Sequence, residues 1–450
     1  MPTMPAMSSW PTRIASTAIV CASVTGNGLA AIEEPYPIAW TTQIGTPQVD
    51  QSGGVAVDGA GNAYISGLTN GDLGGTNAGF FDAFISRIDP SGHVLWTKQV
   101  GTTAFEYGIS VAADVSGNSY LTGRTNGELG GARIGGDDTF LIKFDSSGNQ
   151  VWSRQFGTAD HDDGLGVTVD ISGNVYVSGD TNGSFSGFAN QGESDAFVVK
   201  FDAAGNELWA QQIGTDSTDI SEAVSVDNAG NVYISGLTTG DLGGTNAGSF
   251  DVFLTKFDSS GTQVWTQQFG TASDDRGNAV AVDSVGNIYI SGHTSGSLGG
   301  PNAGSRDPFL AKYDASGNQL WARQIGTAGD DRGFALAVDS TGNAFISGFT
   351  DGDLQGFNEG SSDVYLAKYD SIGNLLWTDQ FGTLDTDEGR ALAVDSIGNV
   401  YSGGYTNGDL DGGNAGEFDA YLAKFTVPEP AGLSLLTVGG MVLLRRERRT

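Results

Sequence analysis

The amino-acid sequence predicts an all-β protein, a closed seven-bladed β-propeller with four strands per blade. Three observations predict it. The pattern AVDSVGNIYISG at 281–292 recurs in close copies beginning at Ala56, Ala112, Thr168, Ser225, Ala281, Ala337 and Ala393, at spacings of 56 or 57 residues. Trp40, Trp96, Trp152, Trp209, Trp265, Trp321 and Trp377 keep the same period. Within each unit four strand-like runs can be read, and four short strands in roughly 40–56 residues are a propeller blade, whereas the coils of a β-solenoid are far shorter.

The first two strands of a unit are the arms of a hairpin, as in 279–282 and 288–291 or in 54–57 and 63–66. Val280, Val282, Ile288 and Ile290 alternate with the period of a half-buried strand. Between the arms, Asp283-Ser284-Val285-Gly286-Asn287 supplies a turn in which glycine takes the left-handed position and the aspartate accepts backbone amides. The third strand opens on Asp and runs through aromatic and aliphatic residues to a Lys, as in 251–258 and 307–314. The fourth carries the tryptophan, as in 264–269, followed four residues later by Ile, Val or Phe. Residues four apart share a strand face, so each such pair is expected to form an apolar patch against the next blade. A tryptophan ladder would also suit carbohydrate stacking, but the constant apolar companion favours core packing.

Closure follows from strand order. The first tryptophan strand, Ile38–Ile44, precedes the first hairpin, and the last unit stops after its third strand at Lys424-Phe425. The chain begins with the strand its last blade lacks. Pairing of Ile38–Ile44 beside Asp419–Phe425 is therefore expected to close the ring and remove two exposed edges.

The repeated pattern of small residue, Val, Asp, two variable residues, Gly-Asn, aromatic, aliphatic, Ser-Gly, seen at 279–292 and in the six other copies, resembles the bacterial β-propeller repeat family SBBP. The resemblance spans about residues 38–426 and implies the propeller fold without implying an activity.

Both ends read as processing segments, which leaves the propeller as one body at 31–426. Residues 1–30 carry Arg13, a mildly apolar stretch at 14–22 and small residues around Gly28-Leu29-Ala30, the layout of a secretory signal peptide with cleavage expected after Ala30. Cys21 lacks the preceding small residue of a lipoprotein site, and as the single cysteine it excludes an intrachain disulfide. Residues 427–450 hold Pro428-Glu429-Pro430, an apolar run at 431–444 and Arg445-Arg446-Glu447-Arg448-Arg449. Fourteen apolar residues fall short of the ~20 that span a hydrocarbon core. A transient or marginal membrane segment stopped by positive charge is the expectation. This tail resembles the PEP-CTERM sorting signal of Gram-negative bacteria. That implies processing by exosortase-type machinery, export across the inner membrane, and residence in the cell envelope, at the cell surface or in the extracellular matrix.

Glycine and proline together make up 81 of 450 residues, below the ~25–30 % of low-complexity chains, and the glycines are periodic, so the chain is expected to fold. The formal charge is −32 with only 21 Lys and Arg, which excludes nucleic acid as a partner because no basic stripe exists to meet phosphates. A monomer is expected.

The two tight turns of each unit are nearly identical and lie on one face; the longer, varied loops that feed the first strand and follow the second lie on the other. Ligands belong on that varied face. Departures from the repeat there are Phe80, Phe81, Arg133, His161, Phe185, Phe188, His293, Arg306 and Phe357, which suit a protein or polysaccharide surface. Two acids recur. Asp50, Glu106, Asp162, Asp219, Asp275, Asp331 and Asp387 are expected just before the innermost strands, first as caps of their own loops and second as a carboxylate ring offering Ca²⁺ ligands near the channel mouth. Asp82, Asp138, Asp195, Asp251, Asp307, Asp363 and Asp419 are expected to bond turn amides; the cation five residues on faces the opposite side of the strand.

Catalysis would need a set of residues that breaks the sevenfold pattern. Of the three histidines, only His161, beside Asp160, Asp162 and Asp163, has acid/base company in sequence. There is no zinc spacing, phosphate loop or nucleophile elbow. The expected function is a non-catalytic surface or matrix interaction scaffold; the alternatives are a lyase-like polysaccharide enzyme and a calcium-stabilised structural coat.

Overall fold

The computed structural model describes residues 33–428 apart from 355 and 412. The segment expected to be a signal peptide, Cys21 and the tail from Glu429 onward, including Pro430 and the arginine cluster, lie outside the described residues; Pro428 is exposed.

Seven four-stranded antiparallel sheets form the body. Six are built from consecutive strands, over residues 50–100, 106–156, 162–213, 219–269, 275–324 and 331–381. The seventh joins Asp387–Val394, Val400–Thr406 and Asp419–Phe425 to the N-terminal Ile38–Ile44, in which Trp40 stands opposite Lys424 and Ile44 opposite Ala420. The ring closes as the strand order requires. Between blades, the amide opening each first strand donates to the residue before the preceding blade's third strand, from Asp50 to the Phe418 carbonyl at 2.7 Å and from Asp387 to the Ser362 carbonyl at 2.9 Å.

The first strands differ from the sequence reading. They begin four residues earlier, Asp50–Val57 rather than 54–57, so the recurrent acid is the strand's first residue and not part of the loop before it. Each also shifts register at its fourth residue, as between Ser52 and Gly54 or between Gly277 and Ala279. The bulge interrupts the period-two alternation, which hides the first half of the strand from pattern reading.

The core is divided among the blade boundaries. Among the described residues each apolar cluster draws on two neighbouring blades: Val55, Ile65 and Phe84 of the first with Tyr401 and Leu422 of the seventh, for example, with Trp40 and Ile44 packed against them. The tryptophan pairs therefore pack against the next blade as expected. A glycine in that blade's outer turn covers the indole: Gly92 has φ +92°, and a Cβ there would lie 2.9 Å from the Trp40 ring. The cation of the third strand, which sequence reasoning left without a partner, ties blades together. Lys200 lies 5.1 Å over the Tyr176 ring and donates to the Ser259 carbonyl of the next blade at 3.3 Å; Lys312 reaches the Ser371 carbonyl at 3.0 Å. The seventh blade has no outer turn to offer Lys368, and the Tyr36 hydroxyl accepts from it at 2.8 Å instead.

Candidate functional site

The seven acids that open the first strands are fully buried. One oxygen of each accepts the amide of the threonine four residues earlier, at 2.6 Å for Asp50, 2.7 Å for Glu106 and 2.5 Å for Asp387. The pattern is the same at Glu106, Asp162, Asp219, Asp275 and Asp331. The carboxylate ring anticipated for Ca²⁺ is thus a set of separate loop caps. Burial raises the pKa of Asp50, Asp162, Asp275 and Asp387 above the usual carboxylate range, partly offset by the threonine hydrogen bonds. The acids opening the third strands bond turn amides as expected: Asp82 accepts from the Ala78 amide and the Gln99 side chain, both at 2.9 Å.

The loop candidates separate into several situations. Phe80 is 64 % exposed and stacks on Phe105 at 4.7 Å, with Phe81 5.7 Å from Tyr107, so a run of rings crosses the boundary of the first and second blades. Phe357 is 86 % exposed. Arg133 is exposed but folds onto its own loop, donating to the Gly135 carbonyl at 2.9 Å. Arg306 pairs with Asp330 at 3.3 Å. Phe188 is half-buried, its amide bonded to the Phe185 carbonyl at 3.0 Å. Two expectations need correction. Phe185 turns inward to Phe197, 5.1 Å away, because it fills the core position that Leu73, Leu129 and Leu298 fill in other blades. His293 is not a loop residue but stands on the second strand of blade five, 4 % exposed.

What sequence reasoning missed is the first-strand bulge. Its residue differs in every blade, Gly53, Ile109, Leu165, Glu222, Asn278, Phe334 and Arg390, and these line the axial channel, a cavity of about 540 Å³. The signal was present as the one position of the first strand that never repeats. The second residue of each first strand is almost as varied: Gln51, Tyr107, Asp163, Ile220, Arg276, Arg332 and Glu388. Blade three carries Asp163, paired across the strands with Asp180, blade four carries Glu222 in the bulge ring itself, and Arg124 of blade two lies 3.0 Å from Asp163. In blades five to seven stand Arg276, 4.5 Å over Phe250; Arg332, 5.4 Å over Phe349; and Arg390, 4.1 Å over Phe334. Acids and cations are thus paired on both sides of the mouth, Arg124 with Asp163 at 3.0 Å, Arg332 with Asp330 at 2.7 Å and Arg390 with Glu388 at 2.5 Å, and the arginines of blades five to seven also lie over aromatic rings.

Asp180, Glu222 and His293 titrate away from their ordinary values. Burial first, and then the nearby Asp163 charge, pushes Asp180 up to about 6 against the opposing Ser194 hydrogen bond. Burial and Asp180 push Glu222 up to about 7, with Arg276 opposing. Some of the Glu222 surface meets the channel, but the enclosing walls withhold most of the hydration an ionised carboxylate requires. Burial, followed by Arg276 and Arg332, holds the His293 ring down at about 3, hence neutral. A raised carboxyl pKa means that Glu222 favours the fold in its protonated form; that contribution is complete below its ordinary value of 4.5 and is lost as pH rises through about 7. Glu222→Gln is thus expected to stabilise the protein at pH 8 by about 1–2 kcal/mol, with the gain vanishing near pH 4.5. Melting curves across that range check it, and an equal gain at both ends would show that desolvated charge is not the cause.

The beta-propeller repeat family SBBP matches the chain at 39–74, 95–130, 151–186, 208–243, 264–299, 320–355 and 376–411. The chain belongs to the SBBP family. Each SBBP match starts in a tryptophan strand and runs into the varied loop after the next second strand. The regulatory protein FlaEY of Caulobacter vibrioides is 31 % identical over 264 residues, covering 50 % of this chain and 27 % of the relative. An uncharacterized WD repeat-containing protein L264 of Acanthamoeba polyphaga mimivirus is 22 % identical over 434 residues, covering 72 % of this chain and 31 % of the relative. This SBBP chain thus spans less than a third of the length of either curated relative. Among solved structures, the Neurospora crassa Pan2 WD40 domain aligns over 84 % of this chain and 90 % of its own, at 11 % identity and a TM-score of 0.47. Puromycin hydrolase aligns over 80 % and 51 %, at 10 % identity and a TM-score of 0.46.

Proposed function

We propose that this propeller is a non-catalytic interaction scaffold, exported to the cell envelope or surface, that binds a protein or polysaccharide ligand at the channel mouth and the adjoining varied loops. One observation carries the reading: the first-strand residue that never repeats lines the channel beneath that mouth in every blade. A unit selected only for folding would repeat its bulge residue as it repeats its turn aspartate and its tryptophan; seven different side chains around one axis make an asymmetric surface out of a symmetric frame. The regulatory and WD-repeat character of the named relatives supports an interaction role. Exosortase-type processing through Pro428, Glu429 and Pro430 belongs to the same proposal and rests on the tail's resemblance to the PEP-CTERM signal.

A glycan array and pull-downs from envelope material, run with the intact protein, test it. Binding is expected to fall about tenfold or more in Arg276→Ala and Arg390→Ala. It is expected to persist in Ile171→Ser, at an exposed turn on the repetitive face. Equal loss in all three, or binding indifferent to the mouth, would refute the assignment. The raised carboxyls of Asp180 and Glu222 favour one rival, a polysaccharide lyase or hydrolase using them as acid and base. Turnover of a bound polysaccharide that Glu222→Gln abolishes would establish that rival in place of the scaffold.

A further inference from the structure

We propose that Asp137, His161 and Asp163, at the boundary of the second and third blades, bind one divalent transition-metal ion. One ligand atom from each lies within 4.8 Å of the other two. His161 Nδ1 is 3.3 Å from an Asp137 carboxylate oxygen, and Nε2 is 3.4 Å from one of Asp163. The imidazole thus bridges two carboxylates, and an ion held by one ring nitrogen and both acids takes over that bridge. An imidazole with two carboxylates suits Zn²⁺, Mn²⁺ or Fe²⁺, whereas Ca²⁺ takes oxygen ligands alone.

The fold does not demand this triad. At the positions equivalent to His161 the other blades carry Val49, Phe105, Thr218, Asp274, Asp330 and Thr386, and no other blade boundary brings a histidine between two acids among the described residues. The ligands are held firmly. Asp163 stands on a first strand, the Asp137 carbonyl accepts the Asp162 amide at 2.8 Å, and Asn126 donates to the Asp137 carboxylate at 3.0 Å. Such outer contacts orient metal ligands.

A second observation is independent of the triad. Asp180, the cross-strand partner of Asp163, is 8 % exposed, and its one hydrogen-bond donor among the described residues is the Ser194 hydroxyl at 2.6 Å. Glu222 of the next blade lines the channel without a hydrogen bond among the described residues. Against this concentration of carboxylates, the contacting side-chain cation is Arg124, 3.0 Å from Asp163. A dication beside these acids offsets the charge of those that ionise. The site is separate from the scaffold reading, and its failure would leave that reading untouched.

Calorimetric titration of the chelator-treated, intact protein with ZnCl₂, MnCl₂ and CaCl₂ in turn tests the proposal. One site per chain is expected for Zn²⁺ or Mn²⁺ with Kd below about 100 µM. It should weaken by about tenfold or more in His161→Gln and in Asp137→Asn. Asp137 lies in a loop, so Asp137→Asn keeps the test valid should the histidine variant fold poorly. Co²⁺ bound to the wild type gives a visible spectrum that reports nitrogen ligation and disappears with His161. No saturable binding below about 1 mM, or binding unchanged in both variants, overturns the proposal, as does a Ca²⁺ site of equal affinity that His161→Gln leaves intact.

Discussion

Deleting residues 36–46 is expected to abolish the cooperative unfolding transition of the propeller instead of lowering it by a few degrees. Ile38–Ile44 is the outer strand of the seventh sheet, in register with Asp419–Phe425 from Ile38 opposite Phe425 to Ile44 opposite Ala420. Its side chains also seal two blade boundaries. Trp40 and Ile44 pack on the core shared by blades seven and one, and the Trp40 indole donates to the Pro90 carbonyl at 3.0 Å. Tyr36 packs at 5.2 Å on Trp377, beneath Lys368 at the boundary of blades six and seven. Removing these groups uncovers several large apolar side chains at about 1.5–3 kcal/mol each and leaves an unpaired strand edge, against a total stability of about 5–15 kcal/mol. Calorimetry and size-exclusion chromatography should show a broad, early loss of structure with aggregation. An unchanged melting transition would mean that the ring does not depend on its closing strand.

The second large effect is expected at a glycine inside a strand. Gly292 stands opposite Gly277, just before the bulge, and a Cβ on it would lie 1.8 Å from the Arg276 carbonyl oxygen and 3.1 Å from the Gly277 Cα. The obstacle is backbone, which cannot rotate away as a side chain would. Gly292→Ala should cost about 3 kcal/mol or more and displace the first strand with its channel-lining Asn278. Gly75→Ala, whose new methyl would meet nothing nearer than 3.6 Å, should stay within about 0.5 kcal/mol of wild type. Denaturant titrations of the two variants check the contrast; equal stabilities would show that the strand moves apart freely.

This glycine shows how much of the fold could be read in advance. The Ser-Gly ending of the repeat was visible as a pattern, but its reason was not, because the close approach arises only when two strands pair across a bulge. The turn aspartate was legible because its partners are local: Asp283 accepts the amides of Val285 and Asn287 at 3.1 and 2.8 Å. The tryptophans were legible because a constant companion four residues on marks a buried face. The candidate site was legible only in fragments. His161 drew notice for the acids beside it in sequence, yet one of the two acids it touches is Asp137, from the preceding blade. The other, Asp163, was among its expected companions.

The sequence by itself determined the number of blades, the four strands of each, the turn caps, the boundary tryptophans and the closing strand. All of these follow from short-range periodicity or from the order of repeated units. The tertiary structure decided which residues meet at the axis. The bulge that turns Glu222, Phe334 and Arg390 to the channel wall, and the blade spacing that brings Asp137 to His161, depend on backbone register between segments whose side chains share no pattern. A repeat makes its own frame predictable, but the contacts among its exceptions exist only once the ring has closed.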